Sequence, residues 1–189
     1  MKKIIFYYSW LSLDKSELKI LTMVAEMGSF SGSLTDICRW LSISPDTRNR
    51  NQIKTSLTNL SENDYISYSR SRNTHAISIV PKEGQIDIPD FTLEKLKTVK
   101  HPGISIDWAN LLKLYLFIQY HSTITTTYTG ISEVLNISET TLGNAKSVLE
   151  KNFHEIAVDK IKKRQADGSY WIVGQEFSMG ADFTKNMKQ

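Results

Sequence analysis

"SISPDTRNRNQIKTSL", residues 42–57, sets Arg48, Asn49, Arg50, Asn51, Gln52 and Lys54 almost back to back. Such a run could be a solvated surface, a substrate clamp or a reader of base edges. Ser44 followed by Pro45 is a helix start, because a serine hydroxyl accepts from the orphan N–H groups of a first turn and proline has none to lose there. The spacing predicts a helix running to about Asn63. At about 100° per residue, Ile53, Leu57 and Leu60 fall together and face a core. The opposite side carries Arg48, Asn51, Thr55 and Thr58, flanked by Thr47, Lys54 and Asn59. Arg50 lies at the edge of the core side, where it meets a backbone phosphate or a local acid more easily than a base. No acidic residue occurs between Thr47 and Ser61, whereas helix faces that only meet water usually mix both signs.

Working outward, "SLTDICRWL" (33–41) predicts a shorter helix capped by Ser33, with Leu34, Ile37 and Leu41 on one face. Residues 15–27 place Leu18, Leu21, Val24 and Ala25 at helical spacing. After the 42–57 stretch, "YISYSR" (65–70) and "HAISIV" (75–80) alternate like strands, joined by the loop "SRNT". The opening "MKKIIFYYSW" lacks the long apolar region and small-residue cleavage site of a signal peptide, and is expected to be a first strand.

The order repeats. "LSLDKSELKILTMV" (11–24) resembles "ISIDWANLLKLYLFI" (104–118), bringing Lys19 onto Lys113 with one inserted residue. "DICRWLSIS" (36–44) falls on "GISEVLNIS" (130–138) at an offset of 94, so Leu41, Ile43 and Ser44 match Leu135, Ile137 and Ser138. "NQIKTSLTNL" then falls on "GNAKSVLEKN" at an offset of 92, matching Lys54 with Lys146 and Leu57 with Leu149. In the second copy a helix over 107–121, "GISEVLN" (130–136), a helix near 139–152, and strands "EIAVDKIKKR" (155–164) and "YWIVGQEF" (170–177) are expected, the last two joined by the Asp-Gly turn "QADGS". Between the copies, "PKEGQIDIPDFTLEKLKTVKHPG" (81–103) holds three of the four prolines and reads as a linker with a short element near 92–99. The expected organisation is a first domain over 1–82, a linker over 83–102, a second domain over 103–178, and a flexible tail over 179–189.

Composition bounds the function. The chain has 189 residues, 40% of them hydrophobic, enough for packed cores. No run approaches the roughly 18 to 20 apolar residues of a membrane span, so no membrane partner is expected. Cys38 is the single cysteine, which excludes a disulfide framework or multi-cysteine metal site and fits a reducing cytoplasm. The net charge of +3 is concentrated in residues 1–80, with ten Lys/Arg against seven Asp/Glu; residues 81–103 and 104–189 are each balanced. A polyanion would be drawn to the first copy.

The "LSIS" and "LNIS" turns, the "NDYI" that ends the third helix, and the charged hairpin tips resemble winged helix-turn-helix domains, and the chain resembles a tandem of two. The resemblance covers about 150 of 189 residues and rests on pattern, without a diagnostic short motif. It implies an α+β, mainly α fold that binds double-stranded DNA, with the third helix in the major groove and the hairpin wing beside it. "FYYSWLSLDKSELKIL" and "IKTSLTNLSENDYI" also look like small proteins of Gram-positive mobile elements, among them plasmid and phage replication initiators and regulators of conjugative transfer. Tandem winged helices also occur as protein-interaction scaffolds in chromosome-segregation complexes.

The expected contacts in the first copy are Thr47, Arg48, Asn49, Arg50, Asn51, Lys54 and Thr55 on the helix, and Arg70, Arg72, Asn73, Thr74 and His75 on the wing. Arg and Asn match guanine and adenine edges bidentately. In the second copy, Arg48, Asn51 and Thr55 become Thr140, Gly143 and Ser147, bordered by Glu139 and Glu150. Base reading is expected to be weak there. Thr140, Lys146 and the wing cluster Lys160, Lys162, Lys163 and Arg164 suit phosphate contacts, although a basic strand end can also be plain solubilising charge. Catalysis finds no support: the glycines are scattered, His75, His101, His121 and His154 lack ligand spacing, and Cys38 has no partner base. No cofactor, metal or small-molecule substrate is expected. The four tryptophans suit packing, and the protein is expected as a monomer with an internal pseudo-dimer, or as a homodimer.

Overall fold

The computed structural model describes residues 2–153, 156–164 and 170–179. Among these, seven α-helices and eight strands in three small antiparallel sheets make an α+β protein of two compact units.

The first unit is Met1–Pro89. It runs β1 (Lys3–Tyr7), a 3-10 turn (Tyr8–Ser12), α1 (Lys15–Met27), β2 (Phe30–Gly32), α2 (Leu34–Trp40), α3 (Thr47–Glu62), β3 (Ile66–Ser71), β4 (Thr74–Ile79) and β5 (Gln85–Pro89). Side-chain caps set the helix starts. Asp14 and Glu17 form a capping box on α1, as Ser33 and Asp36 do on α2, and the Asp46 carboxylate accepts from the Asn49 N–H at 2.8 Å on α3. Gly28, at φ 80, ends α1 in a conformation that costs a residue with a Cβ. The strands β2, β4 and β3 lie in that order, and their sheet packs on α1 and α3. Leu18, Leu21, Ile37, Ile53, Leu57, Leu60, Ile66 and Ile77 are buried between them. Each such side chain contributes about 1.5–3 kcal/mol of transfer free energy. A separate ribbon pairs β1 with β5, from Lys3 against Pro89 to Tyr7 against Gln85, and buries Ile4, Phe6, Ile86 and Ile88. Because β1 also packs on α1, Ile20 and Met23 are buried as well, and α1 is covered on more than one face.

The second unit is Asp90–Gln189. It runs α4 (Asp90–Thr98), α5 (Trp108–His121), β6 (Thr123–Thr126), α6 (Tyr128–Leu135), α7 (Glu139–Asn152), β7 (Ile156–Arg164) and β8 (Tyr170–Met179). Its sheet order is β6-β8-β7, the same first-third-second arrangement as in the first unit. Beginning with α1 and α5, the two units therefore share the order helix, strand, helix, helix, strand, strand. Residues Leu111 through Ile118 of α5 are all buried, since α4, α7 and β8 pack around it. Thr92, Leu93 and Leu96 are the buried residues of α4.

The connection between the two helices of each pair repeats in detail. Ser42 has φ 55 and is followed by an Ile43 N–H donating to the Cys38 carbonyl at 3.0 Å; Asn136 has φ 50 and is followed by an Ile137 N–H donating to the Ser132 carbonyl at 3.1 Å. Lys113, only 1% exposed, closes the end of α6 by donating from Nζ to the Leu135 carbonyl at 2.6 Å. Lys19, its counterpart, lines one recess with Leu41.

Several expectations are corrected. The segment 83–102 is not a linker: β5 completes the first unit's ribbon, α4 covers α5 in the second, and the units divide after Pro89. The cap of α3 is Asp46, not Ser44: the Asp46 carboxylate, directly before the first helical residue, accepts from the Asn49 N–H, while the Ser44 carbonyl accepts from the Asn49 side chain. The first hairpin turns on Arg72 and Asn73 alone, because Ser71 and Thr74 already pair. Strands β2 and β6 had no alternation long enough to be read. Met179 is the last residue of β8, paired with Ile156, and not part of a tail. Residues 180–189 and the "QADGS" turn lie outside the described residues.

Candidate nucleic-acid interface

Helix α3 carries six planar amide or guanidinium side chains, and the fold commits four of them. Asn49 Nδ2 donates to the Ser44 carbonyl at 2.8 Å, so this expected contact is instead a brace of the inter-helix turn. Arg50 donates to Thr35 Oγ1 on α2 at 3.1 Å. Gln52 donates to Ser16 Oγ at 2.9 Å and Asn59 to Glu17 Oε1 at 3.2 Å, which ties α3 to the first turn of α1. Arg48 and Asn51 remain exposed, and no hydrogen bond or ion pair among the described residues engages either side chain. Thr47, Thr55 and Thr58 are exposed around them. Thr55 Oγ1 donates back to the Asn51 carbonyl at 3.1 Å.

Beside this face, α2, α3 and the hairpin enclose a cleft of about 270 Å³ lined by Thr35, Arg50, Lys54, Arg70, Asn73 and His75, with Ser33 and Leu34. Three cations line it with no acidic residue. Arg70 Nε donates to the Arg72 carbonyl at 3.0 Å and so braces a turn in which Arg72 takes φ 53. Arg72 and Asn73 are exposed at the tip, and Thr74 is exposed beside them. His75 is not the wing contact the sequence suggested. It is 2% exposed, stacked on Tyr68, with Nδ1 2.7 Å from the Tyr68 hydroxyl. Burial, then the nearby Arg70 and Lys54 charges, push its pKa below the ordinary 6.5. Burial first, and then the Arg70 and Lys54 charges, thus favour the neutral form of this ring in the cleft.

The matching surface of the second unit differs. Gly143 and Ser147 occupy the positions on α7 that match Asn51 and Thr55, and the Ser147 hydroxyl donates back to the Gly143 carbonyl at 3.0 Å. Thr140 is exposed. Lys146, expected at a phosphate, lies 3.8 Å from Glu150 with its side chain only 15% exposed, so its charge is already answered. Glu139 accepts from the Thr129 hydroxyl at 2.6 Å. Lys160, Lys162 and Lys163 are exposed on β7, which is an edge of its sheet, with a register shift between Ile161 and Lys162. Lysines on an edge strand also discourage pairing with another chain. The Arg164 side chain lies outside the described residues.

Two residues of the site escaped the sequence reading. Thr35 anchors Arg50, and nothing local announces it, because the bond spans two helices. Tyr68 supports His75, and the alternation of β3 and β4 contains the signal: both share the inward side with Ile66 and Ile77. Among the described residues no group of three His, Cys, Asp or Glu side chains could hold a metal, and no helix is long and apolar enough to cross a membrane. Comparison with known protein families finds no family model that matches the chain, and no curated protein matches it.

Proposed function

We propose that the chain is a sequence-specific double-stranded DNA-binding protein, not an enzyme, built as a tandem of two winged helix-turn-helix units. The helix order shared by the two units supports that architecture, with α2–α3 and α6–α7 as the helix pairs and each hairpin as a wing. One observation carries the function: Arg50, Lys54 and Arg70 converge on a cleft with no acid, directly beside the uncommitted Arg48 and Asn51. Like charges gathered without a counter-charge are stabilised by a bound anion. A duplex offers a phosphate row to the cleft and a groove with planar acceptors to α3. The second unit, lacking readers, adds phosphate contacts through Lys160, Lys162 and Lys163, and linkage to the first unit raises the effective concentration of even weak contacts.

The resemblance to mobile-element proteins makes a cytoplasmic regulator of transcription or transfer the first role, and a replication initiator the second. The two share their DNA chemistry, and recruitment of a helicase or primase separates them. A scaffold role draws on a different observation, the charge-paired face of α7. Anisotropy titration with mixed-sequence duplex separates both DNA-binding roles from the scaffold. Binding at low salt is expected, with log K falling about 0.9 per phosphate contacted for each tenfold rise in salt. No binding at micromolar protein and low salt would overturn DNA recognition in favour of the scaffold.

A further inference from the structure

The hydrogen bonds of α3 narrow the specificity of the proposed interface. Asn49, Arg50, Gln52 and Asn59 are held by Ser44, Thr35, Ser16 and Glu17, which leaves Arg48 and Asn51 as the planar groups able to fork onto a base. Thr55, the next exposed residue on the same side, has its hydroxyl proton committed to the Asn51 carbonyl at 3.1 Å. With that proton turned back along the helix, Thr55 has no hydroxyl donor to give a base, which leaves its methyl and an acceptor lone pair for contact. A guanidinium matches guanine O6 and N7, a carboxamide matches adenine N6 and N7, and a threonine methyl matches the thymine C5-methyl.

We infer that α3 reads a short core containing a guanine, an adenine and a thymine, through Arg48, Asn51 and the Thr55 methyl respectively. The three positions are separated by three and four residues. At about 1.5 Å per residue they span roughly 10.5 Å, about three base-pair steps of 3.4 Å, so one continuous core is within reach of all three. The inference rests on the DNA-binding role proposed above and gives it a base identity at each reader.

The test selects bound sequences from a random duplex pool with the full chain and with Arg48→Ala, Asn51→Ala, Thr55→Val and Thr55→Ser. Arg48→Ala is expected to erase preference at a guanine and Asn51→Ala at an adenine. Thr55→Val keeps the methyl and retains the thymine preference, whereas Thr55→Ser keeps the hydroxyl and loses it. Replacing that thymine by uracil in the selected duplex removes only the base methyl. It should weaken the unaltered protein about fourfold, the effect of one buried methyl, and leave Thr55→Ser unchanged. If Thr55→Ser keeps the thymine preference, or a selected motif persists unaltered in Arg48→Ala and Asn51→Ala, this assignment of readers is overturned while DNA binding stands. If no sequence is enriched by the unaltered protein, sequence-specific recognition fails with it.

Discussion

Helices α3 and α7 occupy the same place in the same topology, 92 residues apart, and share their inward positions: Ile53 and Leu57 correspond to Ala145 and Leu149, all buried. Outward they diverge. Arg48, Asn51, Thr55 and Thr58 correspond to Thr140, Gly143, Ser147 and Glu150. Lys54 looks into an acid-free cleft, while its counterpart Lys146 lies 3.8 Å from Glu150. The apolar side of each helix keeps the unit folded, whatever its polar side presents. The outward positions can therefore change without loss of structure, so the reading role proposed for α3 can belong to one copy alone.

The largest test of this difference is Arg48→Ala against Thr140→Ala. Losing a bidentate base contact costs about 1–3 kcal/mol, roughly 5- to 150-fold in affinity for a preferred site, while Thr140→Ala should change binding less than about twofold. Equal losses in anisotropy titrations would erase the functional distinction between the helices. Next, Lys113→Met should lower stability in chemical unfolding by about 1–3 kcal/mol, since it removes the buried donor to the Leu135 carbonyl. Lys19→Met, at the half-buried matching position, should cost less. A reversed order would show that the helix ends are not closed in the way the geometry implies.

Salt dependence sharpens the comparison further. Arg70→Ala should lower the slope of log K against log salt by about 0.9 on any sequence, and Lys146→Ala, whose charge is already paired, should leave it unchanged. Histidine titration by NMR completes the series. Burial pushes both His75 and His121 below the ordinary 6.5, and only His75 also feels cations, from Arg70 and Lys54. A neutral histidine favoured by folding means the unfolded chain takes up the proton first. The stability these groups contribute is therefore full above about pH 6.5 and falls as pH drops toward their folded values. A duplex phosphate seated in the cleft should raise the His75 value and leave that of His121 in place. Movement of both, or of neither, would place the phosphates elsewhere.

Much of each unit was legible because its signals are local. Helical spacing located α1, α2, α5 and α7, and the matched "LSIS" and "LNIS" segments located two turns with the same left-handed residue and the same Ile N–H bond. The segment 83–102 was misread because its prolines and balanced charge look like a linker, while β5 is defined only by pairing with β1, some eighty residues earlier in the chain. Strands of three or four residues, such as β2 and β6, carry too little alternation to be seen without their partners.

By itself the sequence determined the repeat, the core positions and the place where planar donors gather, since periodicity, capping and composition act within a few residues. It could not decide which donors stay available. The bonds that hold Arg50, Gln52 and Asn59 reach partners 15, 36 and 42 residues away, on other helices. Only the packing of α1 and α2 against α3 brings those partners within hydrogen-bond distance, and so separates braces from candidate readers.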